Sequence, residues 1–350
     1  MIPENLLSRP LGGFFYSLVR HPRRPMDACE SLYNQPAMYF TLRLFLKEDT
    51  FVPGRLIVEL ATTFLADLVL PPCRPQWLWT KRAKDDAKLN TGDFSERRWN
   101  AAVKKIAAGE FSALTIFAAN PDSPTQKVSF SSLVNPIGSA GYSTSLPGTI
   151  DVTCSVSYLR QLVASPAKIE SLLRFGTAAW NGVQGGPAYG YGNLGFIPPR
   201  VPFNPHGPQH AEYRLPSDRD TPPAQRPHAI PVAWIGSDVD GNLDRPFCAG
   251  KGIKGAFWAN YLSEIYVKRA GGAEAIGASL PGIRIETLHD GGLLVVATES
   301  PLPKDSEENR QRFLTVHRAL QPAFLSRAEM AANKRALLGY FYREHQSVLP

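Results

Sequence analysis

Ten prolines stand between Pro198 and Pro231, at positions 198, 199, 202, 205, 208, 216, 222, 223, 227 and 231. Proline removes a backbone donor and locks φ, so no helix and no central strand can run through this stretch. The chain is therefore divided into an N-terminal half over residues 1–178, a connecting loop over 179–231 and a C-terminal half over 232–350. The loop opens Gly- and Tyr-rich, from Asn181 to Gly195, before the prolines take over. A loop of such length is usually functional or mobile. Its aromatics, Tyr189, Tyr191, Phe196, Phe203 and Tyr213, imply that it packs onto something.

The flanking halves carry clear periodicities. Met38 to Lys47 alternates apolar residues (Met38, Phe40, Leu42, Leu44, Leu46) with an aromatic and basic far face, which predicts a strand. After Pro53, Leu56, Leu60, Phe64 and Leu68 recur every four residues, an amphipathic helix ending before Pro71-Pro72. Trp77–Thr80, Ser112–Ala119, Lys127–Val134 and Thr149–Val156 read as strands. Asp93 with Glu96 has capping-box spacing for a helix closed by Gly109, and Ser165-Pro166 opens a helix to about Phe175. Beyond the prolines, Ile230–Ile235 is a candidate strand. Phe257–Arg269 reads as a helix with Phe257, Tyr261, Leu262 and Ile265 inward, stopped by Gly271-Gly272. Ala273–Ser279 is a short helix, and Ile283–Leu288 and Leu293–Thr298 flank a hairpin loop, His289 to Gly292. Two terminal helices follow, over Ser306–Leu320 and Arg327–Tyr342. Strands and helices mix without βαβ repetition. The expected fold is α+β, with mixed or antiparallel sheets and packed helices in two halves.

Composition narrows the function classes. The 350 residues are 43% hydrophobic and 20% charged, as expected of a globular chain, and carry a net charge of +7. Four scattered cysteines form neither a disulfide scaffold nor a C-x-x-C zinc module, and Cys154, in an apolar strand, reads as a buried thiol. Met1 to Arg24 lacks the pattern of a signal peptide, and no apolar run has membrane-spanning length, so the expected location is cytoplasmic. The basic balance favours anionic partners, with an excess of bases between Arg74 and Lys105.

No catalytic motif emerges. Gly190-x-Gly192-x-x-Gly195 is followed by Pro198-Pro199 rather than a helix, and Gly250-x-Gly252-x-x-Gly255 lacks a preceding strand. A turn is the better reading of both than a nucleotide site. Asp238, Asp240, Asn242 and Asp244 resemble a calcium loop. The EF-hand pattern fails, because its glycine belongs at position six and its glutamate at position twelve, whereas Gly241 falls at position four and Ala249 at position twelve. These acids suit a polar turn, or an exposed anionic knob for a basic partner. No nucleophile elbow or H-E-x-x-H exists in the sequence. The residues call for no cofactor and no metal, and leave open an enzyme with an unrecognised site or a basic nucleic-acid binder.

Three stretches together resemble the type VI secretion immunity family. The first is Tyr39–Leu46 with the helix after Pro53 and Trp77 and Trp79; the second is Trp258-x-x-Tyr261-Leu262-Ser263-x-x-Tyr266-Val267 with Gly271-Gly272; the third is Asp290-Gly291-Gly292 with Leu302-Pro303-Lys304-Asp305. The proline-rich segment 198–231 contributes nothing to it. The resemblance implies a cytoplasmic protein that binds a cognate effector toxin, for instance a DNA-degrading one of restriction-endonuclease-like fold, and blocks it stoichiometrically without chemistry. It implies no membrane and no direct nucleic-acid contact, and says nothing of oligomeric state. A net basic inhibitor of a nuclease either clusters its acids locally or grips away from the active site. Aromatic residues commonly anchor such interfaces. Trp180, Tyr189 and Tyr191 are therefore expected at the contact together with Asp238, Asp240 and Asp244; the alternative for the aromatics is packing between the two halves.

Overall fold

The computed structural model describes residues 37–47, 50, 52–82, 89–133, 148–197, 252–253, 256–302 and 307–324. Among them, ten strands form one sheet in the order β3-β2-β4-β5-β6-β1-β7-β8-β10-β9, with every neighbouring pair antiparallel. The strands are β1 (Ala37–Leu46), β2 (Arg74–Arg82), β3 (Leu89–Asp93), β4 (Phe111–Asn120), β5 (Ser123–Leu133), β6 (Thr149–Ser155), β7 (Pro187–Ile197), β8 (Ala259–Leu262), β9 (Arg284–Thr287) and β10 (Leu293–Val296). The expected α+β class holds, and the sheet is antiparallel.

β1, first in the chain, lies mid-sheet between β6 and β7. Its alternation decides which face meets the helices. Leu42 lies opposite Val152 on β6 and Gly192 on β7, and Phe40, Leu42 and Leu44 are buried on that face. Four helices cover it: α1 (Gly54–Thr63, prolonged by a π turn over Phe64–Leu68), α2 (Glu96–Ala107), α3 (Val156–Val163) and α4 (Pro166–Gly182). The cap of α2 is Ser95, whose hydroxyl accepts from the Arg98 N–H; Asp93 ends β3 instead, so the cap lies two residues beyond the one the spacing predicts. α4 runs past Phe175 to Gly182, because Leu172, Phe175, Ala179 and Trp180 continue the apolar stripe onto the sheet.

The opposite face carries polar side chains along β5 and β6, with Thr41 and Arg43 on β1 and Thr115 on β4, and Thr41, Thr115, Ser129, Asp151 and Thr153 are buried there. Thr41 and Thr153 hydroxyls lie 3.2 Å apart, Thr115 and Ser131 3.1 Å, and Arg43 Nε stands 3.5 Å from Asp151 Oδ2. Cross-strand hydroxyl pairs satisfy each other where an apolar pair would need further burial.

Two expectations are corrected here. The Gly/Tyr-rich run read as the start of a connecting loop contains β7, a central strand paired with both β1 and β8. Its glycines hide the alternation, because they fill the helix-facing positions. A Cβ on Gly190 would come within 2.7 Å of the Arg43 carbonyl oxygen, and one on Gly192 would lie 3.0 Å from the Trp258 ring. The strand thus needs glycine for close packing rather than for a phosphate. The second correction concerns Phe257–Arg269: residues 259–262 are β8, and only Glu264–Arg269 is helical, as α5. Asn260 explains the change. Its side chain accepts from the Phe257 N–H at 2.8 Å and donates to the Phe257 and Val295 carbonyls, holding an extended chain entry against β10.

The sheet runs unbroken from β7 into β8, and α6 (Ala273–Ser279) and α7 (Glu307–Leu320) complete the C-terminal portion with α5. The hairpin around His289–Gly292 forms as expected, Leu293 opposing Thr287. Residues 198–251, with their prolines and the candidate strand Ile230–Ile235, and the predicted helix Arg327–Tyr342 lie outside the described residues.

Candidate interaction surface

The aromatics expected at a partner contact lie inside the chain. Trp180 is 2% exposed and stacks on Tyr261 at 6.1 Å between ring centroids. Tyr189 and Tyr191, each 4% exposed, join Phe45, Phe257 and Tyr266 in one ring cluster on the second face of the sheet, with centroid separations from 4.7 to 6.2 Å. Rings at these separations and tilts gain beyond simple area burial. This cluster packs α5 onto β7 and ties the C-terminal portion to the central sheet. Asp238, Asp240 and Asp244 lie outside the described residues.

The junction is reinforced on the helix face. Tyr261 is fully buried against Gly176 of α4 and donates to the Leu173 carbonyl at 3.3 Å; burial raises its pKa well above the usual phenol value. Nearer solvent, Arg284 of β9 grips both oxygens of Glu170 on α4 and also pairs with Glu286. Hydrogen bonding from Arg284 holds the Glu170 carboxyl below the ordinary carboxylate pKa. At the end of the sheet, Lys47 donates to the Gly185 carbonyl at 2.6 Å and Asn181 accepts from the His289 N–H at 3.0 Å. Asp290 there holds φ at +55°, the one non-glycine with positive φ among the described residues.

Other sequence candidates fall within the described residues. Cys154 is buried and its pKa is driven up by desolvation, which keeps the thiol protonated and inert. His317 is half-buried edge-on to Phe324, and burial lowers its pKa. Among the basic excess, Arg97, Arg98 and Lys104 lie exposed on α2, a solvated helix face. Among the described residues no three His, Cys, Asp or Glu side chains could share a metal ion, and no helix is long and apolar enough to cross a membrane.

What is exposed and apolar is found elsewhere. Ile265 on α5 and Leu314 on α7, 46% and 37% exposed, are the exposed large hydrophobic side chains among the described residues. The sequence pattern places Ile265 inward only if one helix runs through from Phe257. With α5 starting after Ser263, Tyr266 and Val267 turn inward and Ile265 turns out. Ser263, a good cap residue ahead of Glu264, is the signal in the sequence for that later start.

Residues 219–336 match the family TsiV, type VI immunity for VRR-NUC. The match includes the second and third stretches of the sequence resemblance and excludes the first; it begins inside the proline-rich segment, which the resemblance leaves out. A type VI secretion system protein of Pseudomonas aeruginosa superposes with a TM-score of 0.49 at 14% identity, covering 83% of this chain and 73% of that one. No curated protein matches significantly.

Proposed function

We propose that this chain, whose residues 219–336 match the type VI immunity family, binds a cognate effector toxin in the cytoplasm and neutralises it by stoichiometric occlusion. The family match carries the reading. The description of that family points to an effector of the VRR-NUC class, a nuclease, as the partner.

The architecture suits such a role. The matched segment supplies β8, β10 and β9, and these strands extend a sheet whose central strands are buried on both faces. A surface mounted on rigid elements loses little conformational freedom on binding, so more of the contact energy appears as affinity. Trp180, Tyr189 and Tyr191 serve this reading from beneath, by fixing the segment to the sheet, rather than by touching the partner. Asp238, Asp240 and Asp244 fall within the matched residues and remain candidate contacts. The net charge of +7 favours a grip on an acidic outer face of the toxin rather than mimicry of its phosphate substrate. On this reading the protein converts no substrate.

Co-expression of the chain with the product of the adjacent gene tests the proposal. Growth should recover from the toxin, and the two proteins should co-elute at a fixed ratio. Persistent toxicity with no complex at micromolar concentration would overturn it.

A further inference from the structure

Ile265 and Leu314 share a local pattern. Four residues after each, on the same helix face, stands an exposed arginine: Arg269 on α5 and Arg318 on α7. Neither arginine has a carboxylate partner among the described residues, whereas nearby charges are paired. Lys268 meets Glu264 at 2.7 Å, and Arg312 meets Glu308 at 3.1 Å. α5 packs against Gln321–Ala323, the turn that continues α7. Both exposed aliphatics fall inside residues 219–336, which match the immunity family, and none is found among the residues of 37–197 whose side chains are described.

Scattered exposed apolar residues need no explanation. Two that recur with an uncommitted arginine one turn on, both in the segment matched to an immunity family, are a different observation. Arginine and buried apolar anchors carry much of the energy of protein interfaces. We propose that the outer faces of α5 and α7 form the docking surface for the effector, and that the effector presents apolar sockets bordered by carboxylates, which take Ile265 and Leu314 while pairing Arg269 and Arg318. The proposal rests on the immunity reading above and names the face that performs it. Two separate anchors make register specific: an effector lacking either acid leaves a desolvated arginine unpaired, which discriminates against non-cognate partners.

The test titrates the full chain with the adjacent gene's product by calorimetry, using I265D, R269E, L314D and R318E, with R97E on α2 as the control outside the matched segment. Circular dichroism melts check the fold of each variant, and I265S and L314S replace any aspartate variant that melts early. Each α5 or α7 substitution should weaken binding at least tenfold at an unchanged melting temperature, while R97E binds like the native chain. Binding within twofold of native for all four overturns the proposal and leaves the immunity function standing. Sedimentation showing a native dimer that the same substitutions make monomeric, at unchanged effector affinity, overturns it in favour of self-association. If the native chain itself binds no effector, the immunity reading fails and takes this surface with it.

Discussion

Replacing Gly176 by alanine sets two effects of known sign against each other. In the interior of α4, alanine is favoured over glycine by ~1 kcal/mol through backbone entropy alone. The site, however, has no room. A Cβ there would lie 2.7 Å from Tyr261 Cζ and 3.2 Å from Leu42 Cδ2, and closer still to the Tyr261 hydroxyl. Tyr261 cannot swing away, because it is fully buried, stacked on Trp180 and bonded to the Leu173 carbonyl. Overpacking of this kind costs roughly 1–3 kcal/mol, and displacing the hydroxyl forfeits a hydrogen bond worth about 1 kcal/mol. The helix-propensity gain offsets about one of these, so G176A should destabilise by roughly 1–3 kcal/mol. Urea unfolding followed by tryptophan fluorescence reads this as a lower midpoint at an unchanged slope. Y261F supplies the internal control. It should cost about 1 kcal/mol in the native background and less, or nothing, in the G176A background, because the nearest overlapping atom is then gone. A G176A protein more stable than native, by the amount that propensity alone predicts, would refute the packing of α4 on β8 through this pair.

Two further outcomes follow from named contacts. Asn260→Leu removes three hydrogen bonds at 1% exposure and strands the Phe257 amide and carbonyl, so it should cost about 2–4 kcal/mol and lower the urea midpoint. Glu170 titrates below its ordinary value in the folded chain, so its pair with Arg284 contributes stability above the unfolded carboxylate pKa and loses it as pH falls through the lowered value. Because the pair is well exposed, E170Q should cost less than about 1 kcal/mol at pH 7, and that cost should shrink as pH falls below the ordinary carboxylate range, measured by urea midpoints across pH; an unchanged difference at low pH would count against the linkage.

Much of the architecture was legible in local pattern. Alternation along Met38–Lys47, the four-residue spacing after Pro53 and the hairpin signal at His289–Gly292 each predict the element observed. Such signals are legible because one face of each element is buried while the other follows a different rule, so burial prints a period on the chain. The immunity resemblance was likewise legible, in the stretches around Trp258–Gly272 and Asp290–Asp305, and the family match covers both.

Tertiary structure alone decided the rest. Pro187–Ile197 became a central strand although glycines erased its period, since what requires a small residue there is a neighbouring backbone and ring supplied by β1 and by Trp258. Ala259–Leu262 left the helical pattern because a partner strand and the Asn260 side chain offered its backbone better hydrogen bonds than a helix would. That single change of element rotated Ile265 outward, and the pairing of β8 with β7 drew Tyr189 and Tyr191 inward, exchanging the side chains that meet solvent. Exposure of this kind is fixed by contacts between segments far apart in the chain, and no local period can encode those.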